Sequence, residues 1–198
     1  MVFSNKYFIY FAAVVFCGSF VIRICCGERK MYFSVERPII QMIDRSYLPA
    51  AAFKSKLLSR RDPVHYVTVN FTIVNPLNNS YLISFYFYQL LSNVYKRSFV
   101  ELHFKICDLL EKDEILGDAL RQGYLNVPRA ERLLPTLKCP LPPGSYSLLN
   151  MRFRLSALVE TFPFQEGRVM FNVSEPRGKL ICCATVDFQL KALPKPKN

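Results

Sequence analysis

Residues 139–190 read CPLPPGSYSLLNMRFRLSALVETFPFQEGRVMFNVSEPRGKLICCATVDFQL. Turn residues cut this stretch into three runs: Cys139-Pro140 and Pro142-Pro143-Gly144, then Phe162-Pro163-Phe164 with Gly167, then Pro176-Arg177-Gly178. Each run alternates. Leu149, Met151, Phe153 and Leu155 are predicted to face inward, with Asn150, Arg152 and Arg154 outward. Val169, Phe171 and Val173 oppose Arg168, Asn172 and Ser174 in the second run. In the third, Leu180, Cys182, Ala184, Val186, Phe188 and Leu190 oppose Lys179, Thr185, Asp187, Gln189 and Lys191. Strands with one apolar face, separated by turns, build a β-sandwich.

The same period runs upstream. In residues 64–74, Val67, Val69, Phe71 and Ile73 oppose Thr68, Asn70 and Thr72, and the turn at residues 75–80 follows. Residues 81–91 are apolar on both faces, with Ile83, Phe85 and Phe87 against Leu82, Tyr86 and Tyr88. Such a strand is covered on both sides or lies against something besides its own sheet. Residues 99–106 alternate again, Val100, Leu102, Phe104 and Ile106 inward and Glu101, His103 and Lys105 outward. Asp108 followed by Glu111 reads as an acidic helix start, and Leu109, Ile115, Leu116, Ala119 and Leu120 predict one helix over 108–121, before Gly123. From residue 124 to 137 the pattern dissolves, apart from Leu133-Leu134. Nearer the N-terminus, residues 31–35 predict a strand, and the basic residues 45–61, with Ala50-Ala51-Ala52, read as a connector with one short helix. Residues 28–63 are thus a strand plus connector, 64–191 the sandwich, and 192–198 a frayed tail.

Residues 1–27 have the form of a secretory signal peptide: Lys6, then 16 uncharged residues from 7 to 22, then small residues, with cleavage after Ser19 or Gly27. The apolar stretch is shorter than the roughly 20 residues of a spanning helix, so the reading is export rather than a retained anchor. Three sequons agree with export, at Asn70, Asn78 and Asn172, the first and third on outward phases and the second in a turn. The chain carries a net charge of +11. No nucleic-acid recognition motif accompanies that charge, so it reads as solvated surface, open to an anionic membrane or acidic partner. Of seven cysteines, Cys107, Cys139, Cys182 and Cys183 belong to the domain and allow three full pairings. Adjacent Cys182 and Cys183 point to opposite faces, so at most one joins the main framework.

Signals for chemistry are poor. The sequence contains no Gly-x-Ser-x-Gly, no phosphate-binding glycine loop, no His-Glu-x-x-His and no Cys-x-x-Cys spacing for zinc. His65 and His103 read as outward surface histidines, and Glu111, Asp113 and Glu114 as a solvated helix face. The expectation is a non-enzymatic protein with no metal and no cofactor.

Cys107 ending a strand, Cys139-Pro140, Gly144-x-Tyr146, Phe162-Pro163-x-x-x-x-Gly167 and Gly178-Lys179-Leu180-Ile181-Cys182 together resemble a large insect family of secreted domains of unknown function. That family is related to the chemosensory-B proteins and, through them, to the ML lipid-recognition superfamily of ganglioside-activator-like proteins. The resemblance covers about residues 64–191. It implies an immunoglobulin-like two-sheet sandwich whose sheets part to admit a lipid or pheromone-like molecule, and a Cys107–Cys139 disulfide, with Cys182 or Cys183 left undetermined. Phe71, Phe85, Phe87, Met151, Phe153, Phe171 and Phe188 are then the candidate walls of a ligand cavity. The expected function is a secreted carrier of a small apolar ligand, in chemosensory or lipid-transfer duty. The alternative is a solid-cored accessory module that binds a receptor through an exposed face around Tyr86 and Tyr88.

Overall fold

The computed structural model describes residues 31–59, 62–153 and 163–192. The leader with both cleavage points, Cys17, Cys25 and Cys26, the Arg60-Arg61 pair, Arg154, Leu155 and the tail beyond 192 lie outside the described residues. Eight strands and two short helices follow in chain order: β1 Met31–Ile43, β2 Ala50–Ser59, β3 Asp62–Ile73, β4 Leu82–Leu91, β5 Val94–Lys105, α1 Ile106–Lys112, α2 Leu116–Leu125, β6 Gly144–Met151, β7 Glu166–Ser174 and β8 Leu180–Ala192. Every strand pairing is antiparallel. One sheet has the order β1-β8-β7-β4-β5 and the other β2-β3-β6. The fold is the expected all-β two-sheet sandwich.

Period-2 alternation places β5 as read from the sequence, whereas β7 is half-buried on both faces and mid-β8 is buried on both, so Thr185, expected outward in water, is 3% exposed. Val100, Leu102 and Phe104 are half-buried while Glu101, His103 and Lys105 are exposed, and Cys182, Ala184, Val186 and Phe188 are buried on β8. The β4–β5 hairpin closes through Ser92 and Asn93 at φ of 48° and 63°, the left-handed pair that a two-residue turn between twisted strands requires.

Four sequence expectations are corrected. First, residues 45–61 are not a connector with a helix. They contain β2, which pairs along its whole length with β3, and β1 runs to Ile43, so the sandwich begins at residue 31 rather than 64. The alternation of Ala51, Phe53 and Leu57 against Lys54 and Lys56 is weak because polar Ser55 falls in its inward phase and apolar Ala52 and Leu58 in its outward phase, on an edge strand.

Second, β6 carries a bulge. Val67 pairs with Met151 and Val69 with Leu148, so one extra residue enters β6, and Asn150 takes a φ of 50° there. Tyr146 and Leu148 therefore face inward before the bulge and Met151 after it, whereas Leu149 leaves the predicted inward phase.

Third, the single helix is two. Asp113 adopts an extended conformation, and its Oδ1 accepts hydrogen bonds from the backbone N–H groups of Ile115 (3.1 Å), Leu116 (2.6 Å) and Gly117 (2.9 Å). That carboxylate caps α2. Asp108 is no cap: it lies inside α1, pairs with Lys112 at 2.7 Å, and has its own N–H bonded by Asn79 Oδ1 at 3.3 Å.

Fourth, His65 is not a surface histidine. Its Nδ1 lies 2.8 Å from Oγ of the fully buried Ser34.

Contacts from β1 to the smaller sheet close one side of the sandwich: Ser55 Oγ donates to the Val35 carbonyl, and Ser34 meets His65. On the other side α1 follows directly from β5 and α2 packs on β6, so the helix pair spans the gap between the sheets. Cys107 of α1 is bonded to Cys139 ahead of β6. Among the described residues, no helix is long and apolar enough to cross a membrane.

Candidate ligand cavity

Between the sheets lies a cavity of about 240 Å³. Both sheets and both helices wall it, and every lining residue is apolar or, at Cys182, a thiol. Phe53 of β2 and Phe71 of β3 face Ile83 and Phe85 of β4 and Phe171 of β7. Leu109, Leu110, Leu116 and Leu120 of the helices close one side, with Met151 and Phe153 at the end of β6. Phe53, Phe71, Ile83, Phe85, Phe153 and Phe171 all retain accessible surface, as walls of an unfilled space do.

Met151 owes its position to a glycine. A β-carbon at Gly123 of α2 would stand 2.3 Å from Met151 Cγ, so only glycine lets the helix settle this closely on β6. Gly123 thus lies inside α2 at a close approach and does not end the helix. Behind the wall, Tyr146 stacks on Phe71 with ring centroids 5.4 Å apart and donates to the Pro142 carbonyl at 2.7 Å. Burial, reinforced by Tyr124, pushes the Tyr146 phenol up to about 12. Tyr124 donates to the Leu134 carbonyl at 2.9 Å and accepts from the Leu134 N–H at 2.7 Å. Both phenols are satisfied away from the cavity, which leaves its surface dry.

Of the seven candidate wall residues, the structure brings Phe71, Phe85, Met151, Phe153 and Phe171 together around the cavity. Phe87 and Phe188 lie elsewhere, which corrects their assignment. Phe188 is 1% exposed and packs with Phe33 and Phe164 at centroid distances of 5.1 and 5.9 Å, and Phe87 stands 6.3 Å from it. This aromatic group forms a solid second core. It exists because Gly167, read as a chain breaker, is a β7 residue: a β-carbon there would strike the Tyr88 carbonyl oxygen at 2.1 Å and crowd Phe164 and Phe188. The sequence reading missed Phe53 and the helix leucines. Leu109, Leu116 and Leu120 were visible as a helical stripe, but the stripe alone does not say what it covers.

Cys182 and Cys183 are both free and buried. Cys182 lines the cavity, and burial, then the neighbouring Cys183, pushes its thiol up to about 11. Cys183 faces the other side of the sheet, 3.3 Å from Gln41 Oε1, to which its thiol donates.

Asn70 and Asn78 are exposed, whereas Asn172 is half-buried between Ser84 and Cys183 in mid-sheet, its Oδ1 buried without a hydrogen-bond partner. The third sequon is therefore on the outer face but not open to water as the alternation implied. His103 is exposed and bonds Ser84 Oγ at 2.9 Å. Glu111 accepts from the Cys139 N–H at 3.1 Å, so this carboxylate buttresses the disulfide loop. Among the described residues, no three His, Cys, Asp or Glu side chains gather to hold a metal ion.

No protein-family model matches the sequence, and no curated protein matches it. Among solved structures, a Niemann-Pick type C2 protein from the Japanese carpenter ant is similar at 14% identity, with 82% of this chain and 93% of that one covered and a TM-score of 0.28. Chicken MD-1, complexed with lipid IVa, is similar at 12% identity, with 86% and 96% covered and a TM-score of 0.32. At these scores neither likeness carries functional weight, and the reading of the cavity rests on its own residues.

Proposed function

We propose that the chain is a secreted, non-enzymatic carrier that holds a single-chain lipid or comparable apolar molecule between its two sheets, in lipid transfer or chemosensory duty. The carrying observation is the cavity of about 240 Å³ lined without a polar side chain. A cavity of about 150 Å³ with such walls stays dry and admits benzene, and drug-sized ligands occupy roughly 300–1,000 Å³. The volume therefore suits one alkyl chain better than a many-chained glycolipid. Each buried methylene contributes about 0.8 kcal/mol, and association costs at least about 4 kcal/mol, so chains shorter than about six carbons gain nothing. Export is supported by the leader-like residues 1–27 and by the exposed sequons at Asn70 and Asn78.

Native mass spectrometry of protein purified from its own cells, with extraction of bound lipid, tests the reading. The expected result is a stoichiometric apolar guest, displaced by a fluorescent fatty acid. An empty protein that also takes up no such probe overturns it. One observation favours the accessory-module reading: on the outer face of the larger sheet Arg97 stacks on Tyr86 at 4.8 Å and Arg168 on Tyr95 at 4.1 Å. A stable co-purifying protein lost on Tyr86→Ala, with the cavity empty, selects that reading instead.

A further inference from the structure

Two hairpin tips share one end of the sandwich. In the smaller sheet Leu57, beside the β2–β3 tip, pairs with His65. His65 meets Ser34 of β1, Ser34 pairs with Gln189 of β8, and Gln189 pairs with Glu166 of β7. The next β7 residue, Gly167, pairs with Gln89 of β4, which pairs with Lys96 beside the β4–β5 tip. This row crosses the molecule at a single level, and because Val35 meets Ser55, which pairs with Val67, β1 and β3 run the same way across it, so Leu57 and Leu58 of β2 and the β4–β5 turn lie beyond the row on the same side.

Each tip exposes aliphatic side chains next to lysines. Leu57 and Leu58 are 51% and 48% exposed, and Leu91 and Val94 41% and 56%. Lys54, Lys56 and Lys96 are exposed. Among the described residues, none of these three lysines forms an ion pair.

We propose that this end of the sandwich docks on the surface of an anionic lipid bilayer. A protein partner selects against the pattern, because lysine is depleted from the cores of protein interfaces and aromatic residues are enriched there. A bilayer surface selects for it: aliphatic side chains enter the headgroup boundary while flanking lysines meet anionic lipids. The same β2 strand that carries Lys54, Lys56, Leu57 and Leu58 to the tip places Phe53 in the cavity wall. The inference rests on the carrier reading, for which it names the surface the guest leaves or joins.

Co-sedimentation of the full chain with phosphatidylcholine vesicles, with and without phosphatidylserine, tests it. Binding is expected only with phosphatidylserine and is expected to weaken as salt is raised. Neutralising Lys54, Lys56 and Lys96 to Gln is expected to cost about fivefold each, about a hundredfold together, and Leu57→Ser with Leu58→Ser is expected to weaken binding further. Lys105→Gln, Lys138→Gln and Arg177→Gln remove three cations at the opposite end and are expected to change binding less than about twofold. No preference for phosphatidylserine, or an equal loss from the opposite-end variant, overturns the proposal, as does wild-type protein that ignores vesicles while holding a partner protein through these tips. Lipid retention by the tip variant, read by native mass spectrometry, keeps the two readings apart: lost docking with lipid retained in an intact fold is the expected result. A wild-type protein that carries lipid yet binds no vesicle sinks the docking and leaves the carrier standing.

Discussion

Phe53 of β2 and Phe171 of β7 meet edge to face across the cavity, their ring centroids 5.6 Å apart and their planes at 64°. The contact joins the two sheets through side chains rather than backbone, and Phe171 also lies 6.2 Å from Phe85 on the neighbouring strand. Phe171 is therefore both a strut between the sheets and a wall of the space they leave.

Phe171→Ala is expected to enlarge the cavity and to destabilise by about 2–3 kcal/mol, below the usual 3–5 kcal/mol for a fully buried phenylalanine because the ring keeps some exposure. A displacement series of fatty acids should then favour longer chains than the wild type does. Phe188→Ala, in the solid aromatic group, is expected to cost about 3–5 kcal/mol and to leave chain-length preference where it was. Denaturant unfolding and the same series measure both. An equal shift in preference for the two variants contradicts the division between cavity and solid core.

The Cys107–Cys139 bond closes a loop with a sequence separation of 32. Loop entropy alone sets its contribution at roughly 3–4 kcal/mol. Cys107→Ser with Cys139→Ser is expected to lower the thermal midpoint accordingly and to loosen α1, whose leucines close the cavity. Scanning calorimetry with and without a bound fatty acid measures both effects.

Asp113→Ala strips the acceptor from three backbone N–H groups and is expected to cost about 1–2 kcal/mol. Asp108→Ala, which removes an exposed pair with Lys112, is expected to cost at most about 0.5 kcal/mol. Urea melts of the two variants rank them. The opposite order would restore the single helix starting at Asp108.

Acid is expected to weaken the fold through Asp44 and Glu36. Asp44 is drawn from its usual 3.8 down to about 2, first by the hydrogen bond from Lys179 and then by those from Ser46. Glu36 is lowered from 4.5 chiefly by Lys191, against an opposing effect of burial. Folding therefore favours the ionised carboxylates, so their contribution is complete above about pH 4.5 and is lost as pH falls toward about 2. The thermal midpoint should drop over that interval, and Asp44→Asn should flatten the drop. A midpoint that rises on acidification contradicts the assignment.

What could be read from the residues was whatever followed a strict local period. The inward phases of β5 and β8 are visible one strand at a time, and so is the choice of a sandwich, but the cover over the outward face of β8 that buries Thr185 is not. The bulge at Asn150 was not, because a single inserted residue reverses the face of everything before it and no side chain announces it. Nor was β2, where Ser55 in the inward phase and Ala52 and Leu58 in the outward phase blurred the period. Asp113 was read among acidic neighbours as solvated surface, although a carboxylate three residues ahead of Leu116 is also a cap. Five of the seven wall candidates share the cavity because they face inward near its middle. Phe87 and Phe188 face inward too, and only the crossing of Phe33 and Phe164 over them, set by distant pairing, takes them out of it.

The two adjacent thiols of β8 look in opposite directions, Cys182 toward the hollow and Cys183 toward Gln41. The chain thus carries a gauge with its own reference mark. A guest held as proposed would shield Cys182 and leave Cys183 untouched, so the ratio of alkylation at the two positions is expected to fall as occupancy rises.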